Sequence, residues 1–559
     1  MYIKLQKSPT SPRVQVHLVE GYRDENGKVR HRSLKRYGEL SELQAAEPDV
    51  LKRLRAEARE MTRHKDDGKV ALEVDCLRER LPGEHARNYG HFFLEAVFRR
   101  LGLHTYLKET AKKTKVAYDL GSIAELLVFA RVLGPTSKAA TFKARWDYFH
   151  DFDFKAHDVY RALDTLDELA EGIQLHVHKA ISKLYKRDAA LVFYDVTNYY
   201  FECDFPDEFR KKGTSKEFRQ DPIVQMGLLI DSDGIPIAYR LFEGNTHDSK
   251  TLVPVLGELR AKYGFERIIV VADKGLNGKD NLAFIAREND GYIVSQKVRG
   301  RVDAEILGNI RDKDGWTFDA DGHFGYKSFT RPHKLAKDVT VTEKVVCFWS
   351  EQYARREAFK RGELIDGIEY LVAHPAAYDS KNDYGRKRYV KETMVTSQGE
   401  VVKKVLSFNE ERFKADAALD GFYCILTSEA DMEDLDIINH YHDLVRIEDS
   451  FRIIKSDLEG RPVFVWTHPR INAHFLICFL ALVILRILQV RLDYALSAKS
   501  IKDALAGAVL TPLEKGIFVV DETTDAYKVL EESFDVSLPV RYAPVESIKA
   551  YRKKIIAKA

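Results

Sequence analysis

Residues 441–462, YHDLVRIEDSFRIIKSDLEGRP, carry two stripes at helical spacing. Ile447, Phe451, Ile454 and Leu458 fall at i, i+4, i+7 and i+11, an apolar stripe suited to packing on a sheet. Glu448, Arg452 and Lys455 form a charged stripe beside it. A carboxylate four and seven residues ahead of two cations suits a site in which the acid holds a divalent metal and the cations hold a phosphate. The same residues suit a solvated helix face with an intrahelical Glu–Arg pair, so the stretch alone leaves both readings open.

Two upstream runs give it context. In AALVFYDVT, residues 189–197, an apolar run leads to Asp195; in RIIVVADKG, residues 267–275, a β-branched run leads to Asp273. Continuous apolar runs of this length mark strands covered on both faces. An acid at the end of such a strand sits at the rim of the sheet, where α/β folds place ligands. A single strand-end aspartate also serves as a turn or cap residue. Two of them, together with a helix carrying Glu448 beside two cations, read as a set. Asp204, Asp231, Asp248, Asp449 and Glu459 are rival acids. Asp449 is disfavoured because successive helical residues point about 100° apart.

These residues resemble the DDE transposases of prokaryotic insertion sequences, in particular the type with a long insertion between the second Asp and the Glu. The signature of that type is Tyr, two residues, Arg, three residues, Glu, six residues, Lys. This sequence has Tyr441, then Leu444 where the Arg is expected, then Glu448 and Lys455, leaving Arg446 or Arg452 as alternative sources of the missing charge. GTSKEFRQDPIVQMGLLID from Gly213, GIPIAYRLFEGNTHDSKTL from Gly234 and RPVFVWTHPRINAHFLICFLAL from Arg461 are similar as well. The resemblance spans residues 190–300 and 420–490.

It implies an α/β fold: a ribonuclease-H-like mixed sheet core interrupted by a β-rich insertion and preceded by a small β-hairpin module and an all-α region. It implies metal-dependent DNA cleavage and strand transfer, with Asp195, Asp273 and Glu448 catalytic and holding Mg²⁺, for which Mn²⁺ substitutes. Tyr441, Arg452 and Lys455 would contact DNA. The implied partners are double-stranded DNA, both element ends and target, and a second copy in a synaptic homodimer. A stand-alone nuclease and an inactive DNA-binding relic are the competing readings.

Within that frame the chain divides into a basic hairpin module (1–45), a helical DNA-binding region (46–187), two core parts (188–298 and 420–495) around the insertion (299–419), and a C-terminal segment (496–559). Val14, Val16 and Leu18 alternate with polar residues, and Asn26-Gly27 is a hairpin turn signal. Nine cations against four acids give residues 1–40 a charge suited either to DNA phosphates or to a protected sheet edge. Ser122 and Glu125 read as a capping box ahead of Ile123–Leu133, and the helical region is a candidate for a helix-turn-helix reader. In the insertion, 316–318, 339–349 and 388–395 read as strands. Trp349 is either a core residue or, as the resemblance implies, a stacking partner for a displaced base.

Composition sets the limits. A chain of 559 residues exceeds one compact core. Lys plus Arg at 88 against Asp plus Glu at 86 gives no global sign of a nucleic-acid partner, so any basic surface must be segregated. Five scattered cysteines without a C-x-x-C pair argue against a disulfide framework or zinc finger and fit a reducing cytoplasm. The N-terminus lacks an apolar signal region. The apolar run 475–485, short of the roughly 20 residues that span a bilayer, reads as a buried helix.

Overall fold

The run that ends in Asp195 is an interior strand of a nine-stranded sheet. Its strands are β1 (Leu191–Tyr200), β2 (Ile223–Asp231), β3 (Pro236–Glu243), β4 (Ile269–Ala272), β5 (Gly291–Gln296), β6 (Thr317–Phe318), β7 (Phe324–Lys334), β8 (Thr340–Ser350) and β9 (Phe422–Thr427). They lie in the order β6-β7-β8-β9-β5-β4-β1-β2-β3. β1, β4 and β5 run parallel, and the other neighbours are antiparallel. The half running from β3 to β5 is the ribonuclease-H-like mixed sheet. The computed structural model describes residues 1–8, 11–23, 29–66, 85–114, 116–203, 205–213, 220–300, 302–378, 385–397 and 401–559. The turn Asn26-Gly27, Lys216, Arg219, Cys76 and Asp204 lie outside the described residues.

Strand alternation sorts the core into two layers. Val192, Tyr194 and Val196 face helices α1 (Leu252–Tyr263) and α2 (Lys279–Arg287). Phe193, Val271 and Ile293 face the other way. There they meet α3 (Asp434–His442), α4 (Val445–Arg452), α5 (His468–Arg491) and the helices between residues 91 and 185.

Several boundaries differ from the sequence reading. The chain divides into one unit of residues 1–84 with 512–517 and another of 85–511 with 518–559, not at 45/46. The helices beyond residue 85 share their core with the sheet. Helix Leu120–Leu133 is capped by the Asp119 side chain, which accepts from the Ser122 amide at 3.1 Å. Glu125 instead accepts from His104 at 3.0 Å, so there is no capping box. This helix is buried nearly all round, which removes it as a groove-reading element.

The β-rich insertion also carries helices. Its strands β7 and β8 extend the central sheet beside β9, and helices Glu351–Gly362 and Ile365–Ala373 lie between β8 and a separate hairpin, Val390–Ser397 with Val401–Phe408. The apolar run 475–485 belongs to the 24-residue α5, long and apolar enough to cross a bilayer by length and composition. Since 94% of its most apolar window is buried inside the protein, it is a core helix. The C-terminal helix Val545–Lys558 docks through Arg552, which donates to the buried Glu95 at 2.6 and 2.7 Å.

Residues 1–84 form their own unit. Strands Tyr2–Ser8, Ser11–Arg23 and Val29–Glu39 make a three-stranded antiparallel sheet backed by helix Val50–Asp66.

Candidate active site

The parallel pairing of β1 with β4 runs Leu191↔Ile269, Val192↔Val270, Phe193↔Val271. Asp195 lies two residues beyond this paired register on β1, and Asp273 one residue past the end of β4. Parity puts both on the face of Phe193 and Val271, the face that carries α4. The adjoining strand β5 contributes Ser295 on the same parity as Ile293.

Asp273 is the best-defined of the three acids. Its Oδ1 accepts from Ser295 Oγ at 2.9 Å and from the Tyr441 hydroxyl at 3.4 Å. Burial first, and then the neighbouring charges of Asp273 and Glu448, push the Tyr441 phenol up to about 12, against an opposing hydrogen bond from Ser295. The phenol thus feels both acids, and it stays protonated as a donor at neutral pH. Tyr441, expected to bind a DNA phosphate, here holds a carboxylate. Ser295 was not singled out in the sequence. Its signal was its place at the end of the strand neighbouring the one that leads to Asp273.

Residues 441–462 do not form one helix. α3 ends at His442, α4 starts at Val445, and residues 453–457 are wound as a π-helix. The apolar stripe holds: Ile447, Ile454 and Leu458 are fully buried and Phe451 nearly so. Glu448 lies exposed in the first turn of α4, where the helix N-terminus favours a negative charge. Lys455 lies in the π segment with its Nζ 5.6 Å from the centroid of the Tyr199 ring, four residues beyond Asp195 on the same face of β1.

Arg452 does not pair with Glu448. It donates to Asp449 at 2.7 and 3.0 Å and to Asp457 at 3.2 Å. Asp449 also pairs with the buried Arg486 at 3.0 Å, which explains that acid without a catalytic role. Arg446, the other alternative, pairs with Asp443 at 3.3 Å. Asp231 is likewise occupied, bound to Arg187 at 2.7 Å beneath the sheet.

Asp273, Ser295 and Tyr441 open onto a cleft of about 260 Å³ whose far wall includes Arg299, Tyr423 and Glu357. Glu357 belongs to an insertion helix and accepts from Arg299 at 2.8 Å and from the Gly421 amide at 3.0 Å, so the insertion helps to shape the cleft. Trp349 lies elsewhere, with its indole donating to the Asp420 carbonyl at 3.1 Å beside Phe318 and Phe422.

Three carboxylates are hard oxygen donors of the type that Mg²⁺ and Mn²⁺ take. Among the described residues no three His, Cys, Asp or Glu side chains are gathered closely enough to hold a metal. Like charges on adjacent strands repel, and a site built from them closes when a cation offsets that repulsion.

Comparison with known proteins gives the following. The family model for the transposase DDE domain matches residues 194–484, more than half of the chain. The model for the N-terminal domain of IS1634 family transposases matches residues 3–73. No curated protein matches. Among solved structures, the piggyBac transposase synaptic complex with hairpin DNA aligns over 83% of this chain and 84% of its own, at 9% identity and a TM-score of 0.38. The Mos1 transposase paired-end complex with left transposon end aligns over 42% of this chain and 66% of its own, at 14% identity and a TM-score of 0.14.

Proposed function

This chain belongs to the family of transposases built on a DDE domain, and from that premise we propose that Asp195, Asp273 and Glu448 are the carboxylates at which it cuts and joins DNA. It is a DNA transposase, and its family works with divalent metal ions. The metal is Mg²⁺, with Mn²⁺ as a substitute. Asp195, Asp273 and Glu448 would hold it, and it would supply charge that lowers the pKa of the attacking water and neutralises the phosphoryl oxygens.

The protein's own residues do the rest. Ser295 and Tyr441 donate to one oxygen of Asp273 and so fix the plane of its carboxylate. Lys455 holds a phosphate near the cleaved end, and Arg452 reaches one by exchanging its bonds to Asp449 and Asp457 for a phosphate. Water frees a 3′-hydroxyl and that hydroxyl then attacks target DNA. Both steps are displacements at phosphorus, so one set of acids serves both without a covalent protein–DNA intermediate. The two element ends are brought together by a homodimer.

The observation that supports this reading is the Tyr441 hydroxyl, which donates to Asp273 and whose phenol is raised by burial and then by the charges of both Asp273 and Glu448. The test is supercoiled DNA carrying the element's own termini, incubated with protein and Mg²⁺ or Mn²⁺. End-specific cuts with joined products are expected. Binding of the ends without any cut in either metal would refute the reading.

A further inference from the structure

We propose that the open face of the N-terminal three-stranded sheet enters the major groove of duplex DNA and reads the element ends. This rests on the transposase reading and names the element that recognises its substrate.

The sheet has two unlike faces. Ile3 pairs with Leu18 and Leu5 with Val16, and Ile3 and Val16 pack with Val50 and Leu54 of the backing helix. The alternate pairs, Lys4 with His17 and Gln6 with Gln15, fall on the opposite face by parity. The third strand continues the first of these rows with Arg36 opposite His17.

The open-face side chains are linked across the strands. Arg36 Nε donates to Gln15 Oε1 at 3.0 Å, His17 Nδ1 lies 3.1 Å from Ser33 Oγ, and the Tyr2 hydroxyl lies 3.2 Å from His31 Nδ1. These bonds hold the long side chains in place before DNA arrives.

Three features favour duplex DNA as the occupant. First, the acids of the three strands, among the described residues, are Glu20 and Glu39. Glu20 is paired with Arg32 at 3.3 Å on the backed-face row and Glu39 accepts from Ser41 at 2.8 Å, while the open-face row carries the cations Lys4 and Arg36. Second, the face offers Arg, Gln, His and Ser, whose geometry matches base edges, with Arg suited to guanine and Gln to adenine. Third, three strands span two gaps, about 10 Å, and the major groove is about 12 Å wide.

Binding of the full-length protein to a duplex of the element's terminal sequence, followed by fluorescence anisotropy against a shuffled duplex, tests this. Arg36→Ala and the double variant Gln15→Ala/His17→Ala should each weaken end binding about tenfold and lower the preference over shuffled DNA. Lys52→Ala/Arg55→Ala, on the exposed side of the backing helix, should bind as wild type does. The wild-type protein supplies a probe that does not depend on variant folding. Ends carrying 7-deazaguanine, which lacks the major-groove acceptor, should bind about tenfold more weakly, whereas inosine, which removes the minor-groove amino group, should not matter.

Unchanged end binding in the open-face variants, or sensitivity to inosine without sensitivity to 7-deazaguanine, would overturn the proposal. Failure of the transposase reading has a separate sign. A wild-type protein that binds ends through this face but never cuts them leaves the recognition surface standing and removes the catalytic claim.

Discussion

Asp273 shows how much a single residue's setting matters. One carboxylate oxygen takes two hydroxyl donors from different elements, Ser295 on β5 and Tyr441 on α3. Ser295→Ala and Tyr441→Phe each delete one donor while keeping the side chain's shape close. Each should lower the single-turnover cleavage rate about tenfold, with little change in affinity for end DNA, as the loss of an aligning bond of roughly 1–1.5 kcal/mol requires. A loss of affinity with an unchanged rate would show instead that these hydroxyls contact DNA.

His178 makes a second prediction at this scale. Burial, and then the adjacent Arg187 charge, lower its imidazole to about 4. The unfolded chain therefore takes up a proton near pH 6.5 that the folded protein refuses until about pH 4, so stability falls as pH drops through that window. Between pH 7.5 and 5 this group alone should cost about 2 kcal/mol. Urea unfolding at both pH values should show a shallower slope for His178→Gln than for wild type.

The strands that lead to Asp195 and Asp273 were legible because an apolar run ending in Asp is a local pattern. The hydroxyl support for Asp273 was not, since it depends on which strands and helices become neighbours, and spacing along the chain carries no trace of that.

At the scale of elements, the apolar stripe of residues 447–458 was read correctly because burial follows the period directly. The interruption at Asp443–Leu444 and the π turn at 453–457 were not readable, since no Pro or Gly marks them. The π turn carries Lys455, and such turns recur at functional sites. Ile454→Ala opens a cavity at a fully buried position under this turn and should destabilise the protein by about 2–5 kcal/mol in denaturant unfolding. The placement of the insertion's strands was hidden in the same nonlocal way. Its strands were visible in the sequence, but their pairing with β9 joins residues some 80 positions apart. The helix cap at Asp119 was missed because Ser122 and Glu125 matched the capping-box spacing while Glu125 was drawn into the core by His104.

Across the whole molecule, part-buried ion pairs close the ends of the insertion against the core. Asp420 accepts from Arg361 and, at 2.8 Å, from Arg299, while Arg299 also bonds Glu357 on the wall of the cleft beside Asp273. Asp420→Ala leaves two cations short of a partner, and should destabilise the protein by about 2–4 kcal/mol and expose the 351–378 segment to protease. An unchanged proteolytic pattern would detach this network from insertion docking. The unit boundary at 84/85 was not legible because the sequence from 46 to 187 reads as one helical region. Only packing shows that those beyond 85 belong to the core.

The central claim is that Asp195, Asp273 and Glu448 act as one site. It is tested most directly by single-turnover cleavage of an element-end duplex by wild type, Asp195→Asn, Asp273→Asn and Glu448→Gln in Mn²⁺, with end binding measured alongside. Cleavage by wild type, a loss of at least a thousandfold in each variant and retained end binding in all four is the predicted result. Cleavage by Glu448→Gln at near the wild-type rate would contradict it.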